Sequence, residues 1–231
     1  MKSSKPVRLT VVIPTLNEAL HLPQLLSCLA EAGDMLAEII VSDGGSTDAT
    51  AQIARAAGAC VIAGPPGRGG QLRRGIATAP TPWLLLLHAD STLPPGWADS
   101  LCQTLAAASG ERAYYGKLRF ASADPRARLL EHGVALRCAL LRLPYGDQGL
   151  LIHHELLAAI GGMPDVPLME DVILARRLGR RHLAPMNLTI ATDASAYVRD
   201  GWLRRAAGNL WRLARFLAGG PAAALAASYK R

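Results

Sequence analysis

The chain has few of the residues that mark several common protein classes. Aromatic residues are only 5% of its 231 residues, and its four cysteines, Cys28, Cys60, Cys102 and Cys138, form no C-x-x-C pair. Zinc and redox motifs need closely spaced cysteines, so neither class is supported. Isolated cysteines among apolar neighbours behave as small hydrophobic residues, and a reducing cytosol is therefore the expected compartment.

Long apolar runs are lacking as well. No segment approaches the ~20 apolar residues that a membrane-spanning helix needs. The start, MKSSKPVRLTVVIP, has too short an apolar run for a secretory signal, and proline interrupts it. We therefore expect a cytoplasmic protein, either soluble or peripheral on the inner face of the cell membrane, with a flexible tail over residues 1–7.

Acidic residues are fewer than basic ones, which leaves a formal net charge of +7. The excess comes mainly from arginine, and one explanation is a nucleic-acid surface. However, the arginines are scattered, and no helix-turn-helix, zinc-finger or ribonucleoprotein motif is present, so we expect no nucleic-acid partner. A phosphate-bearing small molecule or an anionic membrane surface explains the arginines at least as well.

Hydrophobic residues make up half of the chain and recur in short blocks. Strands are predicted at residues 8–13, 38–42, 60–63 and 83–88, and helices at about 22–29, 46–57, 71–77 and 96–107. These strands are almost continuously apolar, without the alternation of a half-exposed strand. Helices should therefore cover both faces of a parallel sheet, which defines an α/β fold.

Beyond residue 108 the alternation of strand and helix changes. Strands are predicted at 114–120 and 149–153, with a long helix at 125–141 between them. We expect this part to be a smaller mixed region that completes one domain over residues 8–200, with halves at 8–108 and 109–200. Residues 201–231 should form a basic amphipathic helix and a tail.

Polar segments follow each of the four predicted strands of the first half. They are PTLNE at 14–18, DGGSTD at 43–48, GPPGRGG at 64–70 and HAD at 88–90. In an open parallel sheet, ligands bind in the crevice at the carboxyl ends of the strands. Each segment alone could be a simple turn, but four of them at one edge predict a ligand site.

The motifs VVIPTLNEA, IIVSDGGSTDAT, LLLLHADS and LMED, in this order, resemble the family 2 glycosyltransferases of the GT-A fold. PYGDQGLLI and GGMPDVPLMED are similar to a bacterial subgroup, the selenodomain-associated transferases. The resemblance covers about residues 9–217 and implies a Rossmann-like three-layer α/β/α fold with a mostly parallel sheet and a mixed C-terminal part. It also implies transfer of a hexosyl group from a nucleotide-sugar, with inversion at the anomeric carbon.

The resemblance makes residues 8–108 the nucleotide-binding half and residues 109–200 the sugar and acceptor half. The donor is expected to be a UDP- or GDP-sugar, with Asp43 accepting the ring N–H of the base. For Asp43 the alternative is an Asx turn, and for Glu18, as for Asp48, it is a helix start. The other residues expected at the nucleotide are Pro14, Thr15, Asn17, Gly44, Arg68, Gln71, His88 and Ala89.

Asp90 matches the aspartate with which this fold commonly reaches a metal, whereas His88 replaces the first aspartate of the usual Asp-x-Asp. A hard divalent cation, Mn²⁺ or Mg²⁺, neutralises adjacent phosphates, and a histidine ligand favours Mn²⁺. For Asp90 the alternative is the first residue of a turn. His88 has three interpretations: contact with the ribose, contact with the metal, or simple packing.

The segment GPPGRGGQLRRG, residues 64–75, lacks the G-x-x-x-x-G-K-[ST] pattern of a P-loop. Family 2 enzymes often have Ala-Arg-Asn-x-Gly here, and Leu72 stands in the place of that arginine. Our hypothesis is that Arg68 takes the phosphate-binding role, since guanidinium groups suit phosphate oxygens. The alternative is a mobile basic loop.

Two acidic motifs of the second half complete the expected site. The resemblance implies that Glu170 and Asp171 are catalytic, with Asp171 as the base that takes the proton of the acceptor hydroxyl. The alternative is that both acids only begin a helix and complement its dipole. Asp147 and Gln148, in PYGDQG, either contact the sugar or acceptor or form a hairpin turn.

Residues 201–217, GWLRRAAGNLWRLARFL, place an apolar stripe beside four arginines on one predicted helix. Such a helix either lies on anionic lipid or packs on the body of its own protein. Lipid contact would suit a lipid-linked acceptor, but the sequence leaves the acceptor unknown.

Two other classes share parts of this pattern. A nucleotidyltransferase or sugar-nucleotide pyrophosphorylase also joins a parallel sheet to a nucleotide and a metal. Those enzymes typically carry a glycine-rich loop with lysine after the first strand, where this chain has PTLNEA. A non-catalytic nucleotide-sugar-binding protein would show no dependence on Asp171 and no turnover of the donor.

Overall fold

An eight-stranded sheet runs through the described part of the chain, residues 8–222 and 224–225 of a computed structural model. The expected tail at residues 1–7 and the end of the C-terminal tail lie outside these residues. The strands are β1 (Leu9–Thr15), β2 (Leu36–Asp43), β3 (Cys60–Ala63), β4 (Trp83–Leu86), β5 (Ser91–Thr92), β6 (Ala113–Phe120), β7 (Leu150–His153) and β8 (Leu183–Thr192).

Helices cover both faces of this sheet. They are α1 (Leu22–Ala30), α2 (Thr50–Ala56), α3 (Arg68–Ala77), α4 (Trp97–Ala107), α5 (Pro125–Leu141), α6 (His154–Ala159), α7 (Glu170–His182), α8 (Ser195–Asp200) and α9 (Trp202–Leu217). Short 3-10 turns occur at Gly33–Met35 and Gly146–Gln148.

The strand order is β3-β2-β1-β4-β7-β6-β8-β5. The first-half strands β3, β2, β1 and β4 are parallel to one another. β7 then pairs antiparallel with β4 and β6, while β6 and β8 are parallel. The expected α/β architecture, parallel first and mixed afterwards, is confirmed. The division into halves at 8–108 and 109–200 stays a prediction.

Alternate residues of the central strands enter two separate cores. Val11 of β1 and Leu85 of β4 are fully buried in one core together with leucines of α1 and α4. Val12 and Leu84 are buried in the other core, with Leu72 of α3. Because both faces are covered, nearly every position along these strands is apolar, with Thr10 as a buried exception in β1, which explains the lack of alternation in the sequence.

Several boundaries differ from the sequence predictions. α2 begins at Thr50 rather than near Ser46, because the backbone N–H of Ser46 donates to Asp43 Oδ2 (2.9 Å) and the chain turns there. β4 ends at Leu86, and a short strand that was not predicted, β5, follows and pairs with β8. β8 itself was not predicted, and α3 begins earlier than expected, at Arg68.

The C-terminal helix forms where it was predicted, as α9. It buries Trp202 and Leu213 against the body of the protein, and Trp202 packs edge-on against Phe120 of β6 at 5.3 Å between ring centroids. Across the described residues, no helix has both the length and the apolar character needed to cross a bilayer.

Gly75 allows α3 to lie directly on the sheet, because a Cβ there would be 2.5 Å from Val12 Cγ1 and 3.4 Å from Ile40 Cγ2. We expect Gly75→Ala to lower the free energy of unfolding by about 1–3 kcal/mol, the usual cost of overpacking a closed core. Gly133→Ala in α5 is the control, because its Cβ would meet no atom within 4 Å and alanine favours helix. Urea denaturation measures both, and equal stability of the two variants would contradict the packing.

Candidate active site

The carboxyl ends of β1 and β4 open into one cavity of about 350 Å³. Residues from both halves of the chain form its wall. Eight of the residues predicted for the site line it, namely Pro14, Glu18, Arg68, His88, Ala89, Asp90, Asp147 and Asp171. The structure therefore brings together most of the polar segments that follow the strands.

Asp90 lies on the cavity wall between β4 and β5. Thr192, the last residue of β8, donates its hydroxyl to Asp90 Oδ2 at 2.8 Å. This bond joins the two halves of the sheet at the site and fixes the orientation of the carboxylate. The carboxylate of Asp90 is thus fixed by a hydrogen bond and lines the cavity. A residue that only began a turn would need neither feature.

His88 is a neutral side chain on the same wall. Burial lowers the pKa of His88 well below its ordinary value, and the nearby charge of Arg68 lowers it further. Gly146 makes room for the ring, because a Cβ at that position would collide with His88 Nε2. A neutral imidazole keeps a lone pair with which it can bind a metal or accept a hydrogen bond.

Asp90 and His88 provide one oxygen donor and one nitrogen donor for a cation. Among the described residues, no group of three or more His, Cys, Asp or Glu side chains is arranged to hold a metal ion. Mg²⁺ sites commonly use one or two carboxylates and take further ligands from substrate phosphates and water. The donor set fits a divalent ion of that kind, and the imidazole extends the fit to Mn²⁺.

Glu170 lies behind Arg68 and does not line the large cavity. Its side chain is 2% exposed, and its Oε1 lies 3.6 Å from Nε of Arg68. Burial, followed by the charge of Asp171, raises the pKa of Glu170 to about 7. Glu170 therefore lies against Arg68 of the cavity wall, where its carboxylate can orient the guanidinium. The catalytic role expected for Glu170 stays a prediction.

Asp171 is the carboxylate of the Glu-Asp pair that reaches the cavity. The backbone N–H of Gly146 donates to its Oδ2 at 2.9 Å, and that of Val172 donates to its Oδ1 at 2.7 Å. These bonds hold the carboxylate at the start of α7 and tie it to the turn that carries Asp147. The carboxylate is therefore fixed on the cavity wall, and its role as a general base stays a prediction.

Asp147 and Gln148 share one turn but have different surroundings. Asp147 lines the cavity, and its Oδ1 is buried with no hydrogen-bond partner among the described residues. Burial raises the pKa of Asp147 to about 6, although the charge of Arg137 opposes the shift. Gln148 is buried instead, and its Nε2 donates to the carbonyl of Gly116 at 2.9 Å. The expected hairpin turn is a 3-10 turn.

Several residues predicted at the nucleotide lie behind the cavity wall. Asp43 is 4% exposed, and its carboxylate accepts hydrogen bonds from Thr15 Oγ1 (3.2 Å) and from the backbone N–H groups of Gly45 and Ser46 (3.1 and 2.9 Å). The two bonds from backbone N–H groups are those of the Asx-turn alternative. Contact of Asp43 and Thr15 with the base stays a prediction.

Gln71, Gly44 and Asn17 shape the loops next to the site. Gln71 Nε2 donates to the carbonyls of Thr15 (2.7 Å) and Ser42 (2.9 Å), which joins the ends of β1 and β2. A side chain at Gly44 would press on Gln71, and Asn17 Oδ1 accepts from the backbone N–H of Thr47 at 2.8 Å. Their contacts with a nucleotide likewise stay predictions.

The remaining wall of the cavity comes from residues that the sequence did not predict for the site. They include Phe120, Tyr145, Thr192, Asp193, Tyr197, Arg205, Asn209 and Arg212. The last three occur at i, i+4 and i+7 on α9, a spacing that places them on one helix face. That spacing was visible in the sequence, but only tertiary packing shows that this face turns to the cavity.

The chain belongs to glycosyl transferase family 2, whose family model matches residues 10–145. This segment includes Asp90 and ends before Asp147 and Asp171.

Curated relatives match a shorter stretch. An uncharacterized glycosyltransferase of Mycobacterium tuberculosis (strain H37Rv) and one of Mycobacterium bovis are each 38% identical to this chain over 88 residues. The match covers 38% of this chain and 38% of each relative. The chain therefore spans well under half of the length of these relatives.

Solved structures share the fold over a longer stretch. Glucosyl-3-phosphoglycerate synthase from Mycobacterium tuberculosis, in complex with Mn²⁺ and UDP-glucose, is 25% identical, with a TM-score of 0.60 over 79% of this chain and 70% of that chain. The same enzyme in complex with Mg²⁺ and UDP is 24% identical, with a TM-score of 0.59 over 80% and 71%. The fold of the chain is of the GT-A type.

Glu170 should make stability depend on pH. Between pH 4.5, its ordinary pKa, and about 7, its pKa in the fold, the folded chain keeps a proton that the unfolded chain loses, so stability falls as pH rises. We expect Glu170→Gln to raise the free energy of unfolding at pH 8 by up to about 3 kcal/mol, and by much less at pH 5. Urea denaturation at both pH values tests this, and an equal effect at both would contradict it.

Proposed function

We propose that the chain is a metal-dependent inverting hexosyltransferase whose donor is a UDP- or GDP-sugar. The observation that carries this proposal is the shared cavity, where Asp90 and Arg68 from the first half face Asp171 from the second. A cation-binding carboxylate and a guanidinium suit a diphosphate, and an oriented carboxylate suits an attacking hydroxyl. The likeness to a solved enzyme with Mn²⁺ and UDP-glucose supports UDP.

In this proposal, the first half of the chain holds the donor. Pro14, Glu18 and Ala89 form the wall on which the nucleoside lies, and Thr15, Asn17, Asp43, Gly44 and Gln71 shape or contact it. Arg68, oriented by Glu170, donates to phosphate oxygens. A divalent ion, Mn²⁺ or Mg²⁺, held by Asp90 with His88, would supply positive charge to the departing diphosphate.

The second half holds the reacting groups. The acceptor oxygen attacks the anomeric carbon from the face opposite the diphosphate, the bond from that carbon to the phosphate oxygen breaks, and Asp171 takes the hydroxyl proton. The buried Oδ1 of Asp147 is placed to accept a hydrogen bond from a sugar hydroxyl, with Gln148 supporting the turn. The closer likeness to the selenodomain-associated subgroup, carried by PYGDQG and GGMPDVPLMED, is part of this proposal.

Asp90 and Asp171 should affect different steps. We expect Asp90→Ala to abolish the metal-dependent rise in thermal midpoint that UDP gives the wild type, because ligand binding to the folded state raises the midpoint. Asp171→Asn should keep this rise and slow UDP release from UDP-glucose to water, which stands in for the unknown acceptor, by about 100-fold or more, the usual contribution of a general base. Thermal melts with Mn²⁺, Mg²⁺ or chelator measure the first effect, and a UDP-release assay measures the second.

Other outcomes would point to the other classes. Equal stabilisation by UDP with and without metal in the wild type would remove the argument for Asp90. UDP binding without turnover, unchanged in Asp171→Asn, would indicate a non-catalytic binder. Pyrophosphate release from UTP and a sugar phosphate would indicate a nucleotidyltransferase.

We also propose that the protein is cytoplasmic and touches an anionic membrane surface through its last helices. Of the ten large hydrophobic side chains that are strongly exposed in the described chain, nine lie on α5, α8 and α9. Leu203, Leu210 and Leu217 recur every seven residues and share one face of α9. The exposed arginines Arg204 and Arg215 flank that face, and α9 has no acidic residue. This pattern suits a lipid interface, and a lipid-linked acceptor would be reached there.

Vesicle binding tests the membrane proposal. Replacing Leu203, Leu210 and Leu217 together by Gln should weaken binding to phosphatidylcholine–phosphatidylglycerol vesicles by roughly tenfold or more, because it removes the apolar area that enters the interface. Leu20→Gln is the control, since Leu20 is 84% exposed but distant in sequence from these helices. Sedimentation with vesicles gives the measurement, and wild-type binding by the triple variant would contradict the proposal.

A further inference from the structure

One arginine of α5 holds the turn at residues 143–148, which carries Asp147. Arg137 lies near the end of this helix, is half-buried and does not line the cavity. Its Nε donates to the carbonyl of Leu143 at 2.9 Å, and its Nη2 donates to Gln148 Oε1 at 3.2 Å. These two acceptors stand at the two ends of the turn, so a single guanidinium group fixes both ends.

The same guanidinium packs on the middle of the turn. Its central carbon lies 3.5 Å from the centre of the Tyr145 ring. A planar guanidinium can stack on an aromatic face while its edges keep their hydrogen bonds. Because Tyr145 lines the cavity, this contact also sets the position of part of the cavity wall.

Gln148 carries the restraint into the sheet. Its Oε1 accepts from the backbone N–H of Tyr145 at 3.2 Å as well as from Arg137, and the thiol of Cys138 lies 3.3 Å from the same oxygen. Its Nε2 donates to the carbonyl of Gly116 in β6 at 2.9 Å. The turn is therefore joined to both α5 and β6 through one buried side chain.

This turn supports the groups to which the proposed reaction assigns the chemistry. Two backbone bonds hold the carboxylate of Asp171: the N–H of Gly146, in the turn, donates to Oδ2, and the N–H of Val172, in α7, donates to Oδ1. A displaced turn would lose the first bond and would carry Asp147 away from its place on the wall. Misplacing reacting groups by about 1 Å can cost on the order of 100-fold in rate.

We infer that Arg137 is a positioning residue for glycosyl transfer, which holds the turn at residues 143–148 so that Asp171 and Asp147 keep their places on the cavity wall. This inference rests on the proposed function and adds to it a residue outside the cavity. The proposed contacts with the nucleotide come from the first half of the chain. Arg137 should therefore affect the chemical step and leave the binding of UDP unchanged.

The kinetics of UDP release from UDP-glucose to water, with Mn²⁺, give the first test. We expect Arg137→Gln to lower kcat roughly tenfold or more, to change KM less than kcat, and to keep the rise in thermal midpoint that UDP and Mn²⁺ give the wild type. Arg180→Gln is the matched control, because Arg180 donates to the carbonyl of Leu140 at 2.8 Å, at the same end of α5. The control loses the same charge and a bond of the same kind, keeps the contacts of Arg137, and should behave as wild type.

Arg137→Lys separates the effect of position from that of charge. Burial raises the pKa of Asp147, and the charge of Arg137 opposes this rise; lysine would keep that charge. Lysine lacks the planar fork that reaches Leu143 and Gln148 together, so its kcat should stay close to that of Arg137→Gln. Recovery of the wild-type kcat would overturn the inference, because the charge alone would then be sufficient.

Amide hydrogen exchange gives a readout that needs no turnover. We expect residues 143–148 to exchange faster in Arg137→Gln than in the wild type, because the turn opens locally at a lower cost in free energy. The strands of the sheet should exchange as in the wild type, and Arg180→Gln should leave the exchange of the turn unchanged. Unchanged exchange of the turn in Arg137→Gln would overturn the inference.

The outcomes separate this inference from the proposed function. If the wild type releases UDP, an undiminished kcat in Arg137→Gln, an equal loss in the control, or a lost response to UDP would overturn the inference and leave the function standing. A wild type without turnover would contradict the function and this role of Arg137 with it, and hydrogen exchange would still show whether Arg137 holds the turn. If Arg137→Gln does not fold, Arg137→Lys replaces it in both measurements, with the same losses expected.

Discussion

The crowding of carboxylates at the carboxyl edge of the sheet is the constraint on which the site depends. Glu18, Asp90, Asp147 and Asp171 share one cavity wall, and Glu170 lies just behind it. Burial raises the pKa of Glu18, Asp147 and Glu170, so ionising them together in this cavity costs free energy. Positive charge offsets that cost, from Arg68 and Arg137 in the chain and from any cation that binds. Such perturbed pKa values are typical of functional sites, and here the fold concentrates acids where a cationic partner is needed.

The sequence predicted the strands and helices of the fold more completely than it predicted the contacts of the site residues. Apolar strands between amphipathic helices identified the parallel half, because burial on both faces makes a strand continuously apolar and burial on one face gives a helix a periodicity that can be counted. The sequence also predicted that the strand ends converge. It could not predict that Asp43 would be occupied by its own turn while Glu18 lines the cavity. That outcome depends on which backbone N–H groups lie within reach of each carboxylate, and only the folded loops determine it. β5 was missed because it is only two residues long. β8 was missed although Met186, Leu188 and Ile190 alternate with exposed polar residues along it, a pattern that the sequence offered.

The departures from the family pattern become understandable in three dimensions. Leu72, in the place of the usual arginine, is buried in the core beside α3, whereas Arg68 lies four residues earlier on the same helix and reaches the cavity. Residues four apart share a helix face, so a guanidinium is available one turn closer to the amino end of α3. His88 similarly replaces a carboxylate, and Gly146 leaves room for the larger ring. Each departure keeps a group of suitable chemistry at the same wall.

α9 connects the two questions that the sequence left open, the acceptor and the membrane. One side of this helix packs through Trp202 and Leu213, another lines the cavity through Arg205 and Arg212, and a third exposes Leu210 among other leucines. A helix that only stabilised the fold would need the first face alone. A helix that only bound lipid would have no reason to place polar groups in the cavity. Because the apolar face and the cavity face belong to one rigid element, contact with a bilayer would hold the cavity at a fixed distance and orientation from the lipid headgroups. A lipid-linked acceptor, as the proposed function has it, would then enter the cavity from that side.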